Sequence, residues 1–170
     1  MKASEFMTST VHACAGTDTL ARAARIMWDH DCGVVPVIDQ ERHVVGIITD
    51  RDVAMAAYLQ GRALCQIPVA VAMTRDVHCV NEEERSDVIE ELMRKAQVHR
   101  IPVVDWAGRL KGIVSLNDLL HRAAEAEHES DVDVTHDGLT RTLAAITRPR
   151  GPTGAVTEKR CRTCDPTASA

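Results

Sequence analysis

Gly46-Ile47-Ile48-Thr49-Asp50-Arg51-Asp52 returns at Gly112 as Gly112-Ile113-Val114-Ser115-Leu116-Asn117-Asp118. Each copy is an apolar run that passes straight into a helix start, with a hydroxyl at the boundary and a carboxylate three residues on. Working outward, the same shift carries Met7-Thr8 onto Met73-Thr74 and Val11-His12 onto Val77-His78. It also carries Met27 onto Met93, Pro36-Val37 onto Pro102-Val103 and Asp39 onto Asp105. Self-similarity at one fixed offset marks a duplicated structural unit. Two copies are too few for a solenoid, so a face-to-face pair is the natural way to bury both apolar faces.

Each unit reads in the order β-α-β-β-α. A short strand comes first, over Val11 to Cys14 and again over Val77 to Val80. A helix follows. In the first copy Thr17 or Asp18 can cap it, and Leu20, Ala23, Ala24 and Met27 line one face. Val88, Ile89, Leu92 and Met93 do the same in the second. The next strands are Val34 to Ile38 and Arg100 to Val104, and their prolines belong on an edge or at a strand start because proline lacks an N–H. After a turn come strands at Val44 to Ile48 and Leu110 to Val114, then helices from Thr49 and Ser115. The expected division is a first unit over 1–60, a linker over 61–70 punctuated by Gly61 and Pro68, and a second unit over 71–125. Residues 126–170 read as a mobile tail, acidic up to Asp137 and basic from Arg141, with a short helix possible over Leu139 to Ile146.

Composition narrows the function classes. The chain has 170 residues, 45% apolar and 26% charged, which is ordinary for a globular protein. A net charge of -5 argues against a sequence-independent nucleic-acid binder. Phe6, Trp28, Tyr58 and Trp106 are the whole aromatic complement, too few for a base-stacking platform. No apolar run approaches the roughly 18 residues of a membrane span. Met1 to Phe6 has no apolar signal-peptide core, so a cytoplasmic setting with no membrane partner is expected. Cysteines there are thiols by default. Cys161 and Cys164 form one CxxC, half of a structural zinc set, and no metal site is expected from it.

The doubled strand-to-helix corner has two possible uses. Thr49 with Asp52, and Ser115 with Asp118, can each form a capping box that satisfies free backbone N–H groups. The same geometry can hold a ligand. A helix N-terminus favours a phosphate, and a carboxylate can accept both hydroxyls of a ribose. His99-Arg100-Ile101-Pro102 places a fork-shaped phosphate partner just before an apolar strand. Arg100 could instead pair with a local acid, Asp87 or Glu90. The first unit has Gly33-Val34 in place of His99-Arg100, so the half-sites differ, and Arg51 is the candidate for the missing charge.

These motifs resemble the CBS domain family over about Lys2 to Glu125. The resemblance rests on the Met-Thr openings, Val34-Val35-Pro36-Val37, His99 to Asp105, and the two Gly-Ile-(Ile/Val)-(Thr/Ser)-x-x-Asp corners. It implies an α/β (α+β) fold: two pseudo-symmetric units packed through their sheets, with up to two adenine-nucleotide sites in the cleft. By resemblance, Asp52 and Asp118 hold ribose, while Thr49, Ser115, His99 and Arg100 contact phosphate. Groups near Val11, Val35, Val77 and Ile101 sandwich adenine, with Pro102 alongside. The departure at Gly33-Val34 removes the paired phosphate contacts from the first site.

No nucleophile-base-orienter set, P-loop lysine or metal cluster is present in the sequence, so no catalytic residue is assigned. The expected function is a regulatory module that senses AMP, ADP or ATP. The alternatives are a structural homodimer with an empty cleft, its tail recruiting another protein, and a binder of S-adenosylmethionine or NAD. Asp52 to Leu59 reads as a helix apolar nearly all round, which wants burial on more than one side. A homodimer through these helices is expected.

Overall fold

The computed structural model describes residues 1–125 and 136–147. The first repeat forms β1 (Cys14–Ala15), α1 (Leu20–Asp29), β2 (Val34–Ile38), β3 (Val44–Thr49) and α2 (Asp50–Gln60). After α3 (Val69–Ala72) the second forms β4 (Val80–Asn81), α4 (Ser86–Ala96), β5 (Arg100–Val104), β6 (Leu110–Ser115) and α5 (Leu116–Glu125). A further helix, α6, covers His136–Ile146. The β-α-β-β-α order is therefore present twice. Each repeat carries one three-stranded sheet, β1-β2-β3 and β4-β5-β6. β1 runs parallel to β2, β4 parallel to β5, and β5 antiparallel to β6.

Several local expectations shift, each for a physical reason. Val11 and Val77 lie outside the ladders, because pairing begins only at Cys14 and Val80. The cap of α1 is Thr19, which accepts from the Arg22 N–H. Asp18 is occupied elsewhere, accepting the Ala15 N–H at 2.9 Å and closing the turn after β1. Pro36 and Pro102 sit inside the central strands, not on an edge. The outer parallel strands begin to pair one residue later, at Val37 and Val103, while β6 alone runs beside Pro102. A missing N–H costs nothing where no neighbour waits for it.

The packed units do not follow the repeats. Of the described residues, one unit gathers Met1–Val11, Gln40–Val44 and those from Asp76 up to residue 147; the other gathers His12–Asp39 and Val45–Arg75. Thr8 bridges to Ile113, and Thr74 bridges to Ile47. Each Met-Thr pair thus docks on the strand of the repeat it does not open. Glycine makes this possible. A Cβ on Gly112 would stand 2.4 Å from Met7 Sδ and 3.1 Å from the Thr8 carbonyl oxygen. One on Gly46 would stand 2.7 Å from Met73 Sδ.

The core of the unit built on the first repeat joins Leu20, Met27, Val35, Val37 and Ile48 with Ile67 and Val69. Ile67 and Val69, at the end of the segment read as a linker, are therefore part of that core, and their backbone is paired. The Leu20 N–H donates to the Ile67 carbonyl, and the Val69 N–H to that of Asp18. In the unit built on the second repeat, Ala3, Ile89, Met93, Ile101, Val103 and Val114 pack with Leu139 and Ile146 of α6. The short helix read as possible over Leu139 to Ile146 forms within α6, and this part of the expected mobile tail is seated, because Leu139, Leu143 and Ile146 fall on one helix face. Cys161, Cys164 and the remainder of the expected tail lie outside the described residues.

Candidate ligand site

Each corner is built by a strand whose last residue caps the next helix. Thr49 ends β3 and caps α2; Ser115 ends β6 and stands at the same place before α5. Both capping boxes form. Asp52 Oδ2 accepts from the Thr49 N–H at 2.9 Å and from Thr49 Oγ1 at 2.7 Å, while the Asp52 N–H donates back to Oγ1 at 3.2 Å. Asp118 Oδ2 accepts from the Ser115 N–H at 2.7 Å and from Ser115 Oγ at 2.6 Å, with the return bond at 3.3 Å. In both boxes one oxygen, Oδ2, does the capping. Oδ1 stays outside the box, and both acids are only half-buried. The capping use is therefore realised twice, and it leaves each carboxylate one oxygen to offer.

The backbone behind the corners is equally repeated. The Asp50 N–H donates to the Gly33 carbonyl at 3.1 Å, and the Leu116 N–H to the His99 carbonyl at 2.9 Å. His99 and Arg100 therefore stand beside the start of α5, His99 exposed and Arg100 half-buried. Neither acid that could have neutralised Arg100 does so. Asp87 is held by Arg85 in two hydrogen bonds, and Glu90 accepts from Thr142. Among the described residues, no hydrogen bond or ion pair engages the Arg100 guanidinium. The Arg51 side chain is likewise exposed and unengaged among the described residues.

The apolar positions divide. Val11 and Val77 are half-buried at the ends of the extended openings. Val35 and Ile101 are fully buried within their own units, and Pro102 is buried as well. What those three can present to a ligand is backbone, not side chain.

A shallow hollow of about 370 Å³ lies beside Asp118, lined by Glu5, Phe6, Met7, His121 and Arg122. Arg122 Nη2 donates to the Glu5 carbonyl at 3.1 Å and fixes one wall. Sequence reasoning missed these residues. Glu5 to Met7 open the other repeat, and only the exchanged docking brings them to Asp118.

The chain can be set beside known proteins. The CBS domain matches residues 3–58 and 68–125. An uncharacterized 17.7 kDa protein of Acidianus ambivalens is 38% identical over 119 residues, covering 69% of this chain and 70% of that one. Inosine-5'-monophosphate dehydrogenase of Methanocaldococcus jannaschii is 36% identical over 121 residues, 71% of this chain but only 23% of the enzyme. Among solved structures, the CBS domain pair of protein MJ0100 in complex with 5'-methylthioadenosine and S-adenosyl-L-methionine matches with a TM-score of 0.65 at 27% identity. That match covers 75% of this chain and 98% of the other.

Proposed function

Because this chain belongs to the CBS domain family, with copies at residues 3–58 and 68–125, we propose that it is a non-catalytic regulatory module that binds an adenine nucleotide, AMP, ADP or ATP. The observation that carries the reading is the second corner. There Asp118 keeps Oδ1 outside its cap, and Arg100 stands near the start of α5 with no side-chain partner among the described residues. A carboxylate oxygen suits a ribose hydroxyl, and a guanidinium with the N-terminus of α5 suits a phosphate. The relative solved with 5'-methylthioadenosine and S-adenosyl-L-methionine supports an adenosyl group as the shared part of the ligand. On this reading Asp52, Thr49 and Arg51 form the lesser half-site, since Gly33-Val34 brings no side chain equivalent to Arg100. Bound ligand would shift a two-state equilibrium read by a partner protein.

Isothermal titration with AMP, ATP and S-adenosylmethionine tests this. Asp118→Ala is expected to weaken nucleotide binding by about 1.5–3 kcal/mol, the worth of a charge-assisted hydrogen-bond pair. Unchanged affinity rejects the site. Absence of heat with every ligand favours the alternative, an empty-cleft interaction protein, for which the full use of Oδ2 in capping already speaks.

The same reading includes a homodimer in the cytoplasm. On α2 only Val53 and Ala56 are buried, leaving Met55, Tyr58 and Leu59 exposed. Trp28, at the end of α1, is 86% exposed. Large apolar side chains left exposed in this way are what a protein interface covers. Sedimentation velocity at micromolar concentration checks it, and a monomer rejects it.

A further inference from the structure

The unit built on the second repeat holds a seat for a helix, and the first repeat has the same seat with no helix on it among the described residues. α6 lies against α4 and α5, with Leu139 2% and Ile146 7% exposed. They join the cluster of Met93, Leu116 and Leu119, with Val98 and Leu120 packed alongside. Two polar contacts set the register of α6. Thr142, itself fully buried, donates through Oγ1 to Glu90 Oε1 at 2.9 Å, and Gln97 Nε2 donates to the Ala145 carbonyl at 3.0 Å.

Carried back through the repeat, Met93, Val98, Leu116, Leu119 and Leu120 become Met27, Cys32, Asp50, Val53 and Ala54. Those residues, with Trp28, line a hollow of about 330 Å³ between α1 and α2. The first seat cannot hold α6 in the same way. Glu90 becomes Ala24, so Thr142 would lose its acceptor. Gln97 becomes Asp31, whose ionised carboxylate cannot donate to a carbonyl. The polar pair therefore assigns α6 to the second seat.

We propose that α6 is a built-in plug: it fills the second seat, so that self-association runs through the first seat alone. This rests on the homodimer reading for the first seat, and the test separates the two. Sedimentation velocity and hydrogen exchange are measured on the full chain at micromolar concentration. Ile146→Asp puts a charge into the apolar seat. It is expected to raise exchange over residues 139–147 about tenfold or more and to convert the dimer into a larger species. Trp28→Asp, at a solvent-exposed position, is expected to give a monomer. The double variant is expected to be a dimer again, now through the second seat. If Ile146→Asp folds poorly, Leu139→Ala/Ile146→Ala loosens the seat without adding charge and is read the same way. Raised exchange with wild-type mass in the single variant and a monomer in the double variant overturns the plug. Unraised exchange in both α6 variants overturns it too. A monomeric wild type rejects the dimer reading only; the plug then stands if Ile146→Asp alone produces a dimer and falls if it does not.

Discussion

Gly112 has no room for a side chain, and the reason lies in a segment more than a hundred positions away in the chain. Met7 Sδ and the Thr8 carbonyl occupy the space where a Cβ would stand. Gly112→Ala is expected to destabilise the protein by about 1–3 kcal/mol, the usual cost of overpacking, as read by urea denaturation. Adding Met7→Ala should return part of that loss, because the two changes share one contact. Gly46→Ala should act alike through Met73. Cysteines show the same dependence of chemistry on surroundings. Burial pushes the Cys14 thiol up to about 11, with Asp18 nearby adding to the effect. The thiolate is the nucleophile. Iodoacetamide at pH 8 is therefore expected to modify exposed Cys65 and spare Cys14 in the native protein; mass spectrometry of peptides reads the difference.

Helix starts are where local chemistry speaks most clearly in this protein. The boxes at Thr49 and Ser115 were legible from a hydroxyl and an acid three residues apart, since both partners lie within one turn. Thr49→Ala and Ser115→Ala are each expected to cost about 1 kcal/mol, seen as a lower melting temperature. Asp118→Ala should lower it as well, so its melting temperature is read beside its ligand affinity to separate loss of the cap from loss of the ligand contact. The cap of α1 was expected at Thr17 or Asp18 and falls instead on Thr19. The Ala15 N–H decides it by engaging Asp18, leaving the cap to Thr19. The strand prolines mislead for a related reason. Proline is excluded from a central strand only where a neighbour needs its N–H, and the short outer strands start just past it.

At the scale of the molecule, the duplication makes two frameworks of equal design with unequal furnishing. The second repeat has Arg100 and a seated α6; the first has Gly33-Val34 and an apolar face left open among the described residues. On the proposed reading, one side of the pair favours ligand and the other favours a second copy of the chain. If the exposed Trp28, Met55, Tyr58 and Leu59 are an interface, association stabilises the folded state by mass action. The melting temperature should then rise with protein concentration, and Trp28→Asp should abolish that rise. A melting temperature independent of concentration would speak against the dimer.

The sequence by itself determined the repeat, the order of elements within it and both capped corners, because hydrogen bonds across a turn and the periodicity of apolar residues act over short stretches of chain. Tertiary packing alone decided which repeat each Met-Thr pair docks on. The two pairs are identical in sequence, so either strand would accept either one, and only the path of the chain chooses. Packing also decided that Glu90 serves Thr142 and not Arg100, and that α6 has a seat at all. Contacts between segments far apart in the chain leave no periodic trace in either segment, and so they become visible only once the chain is folded.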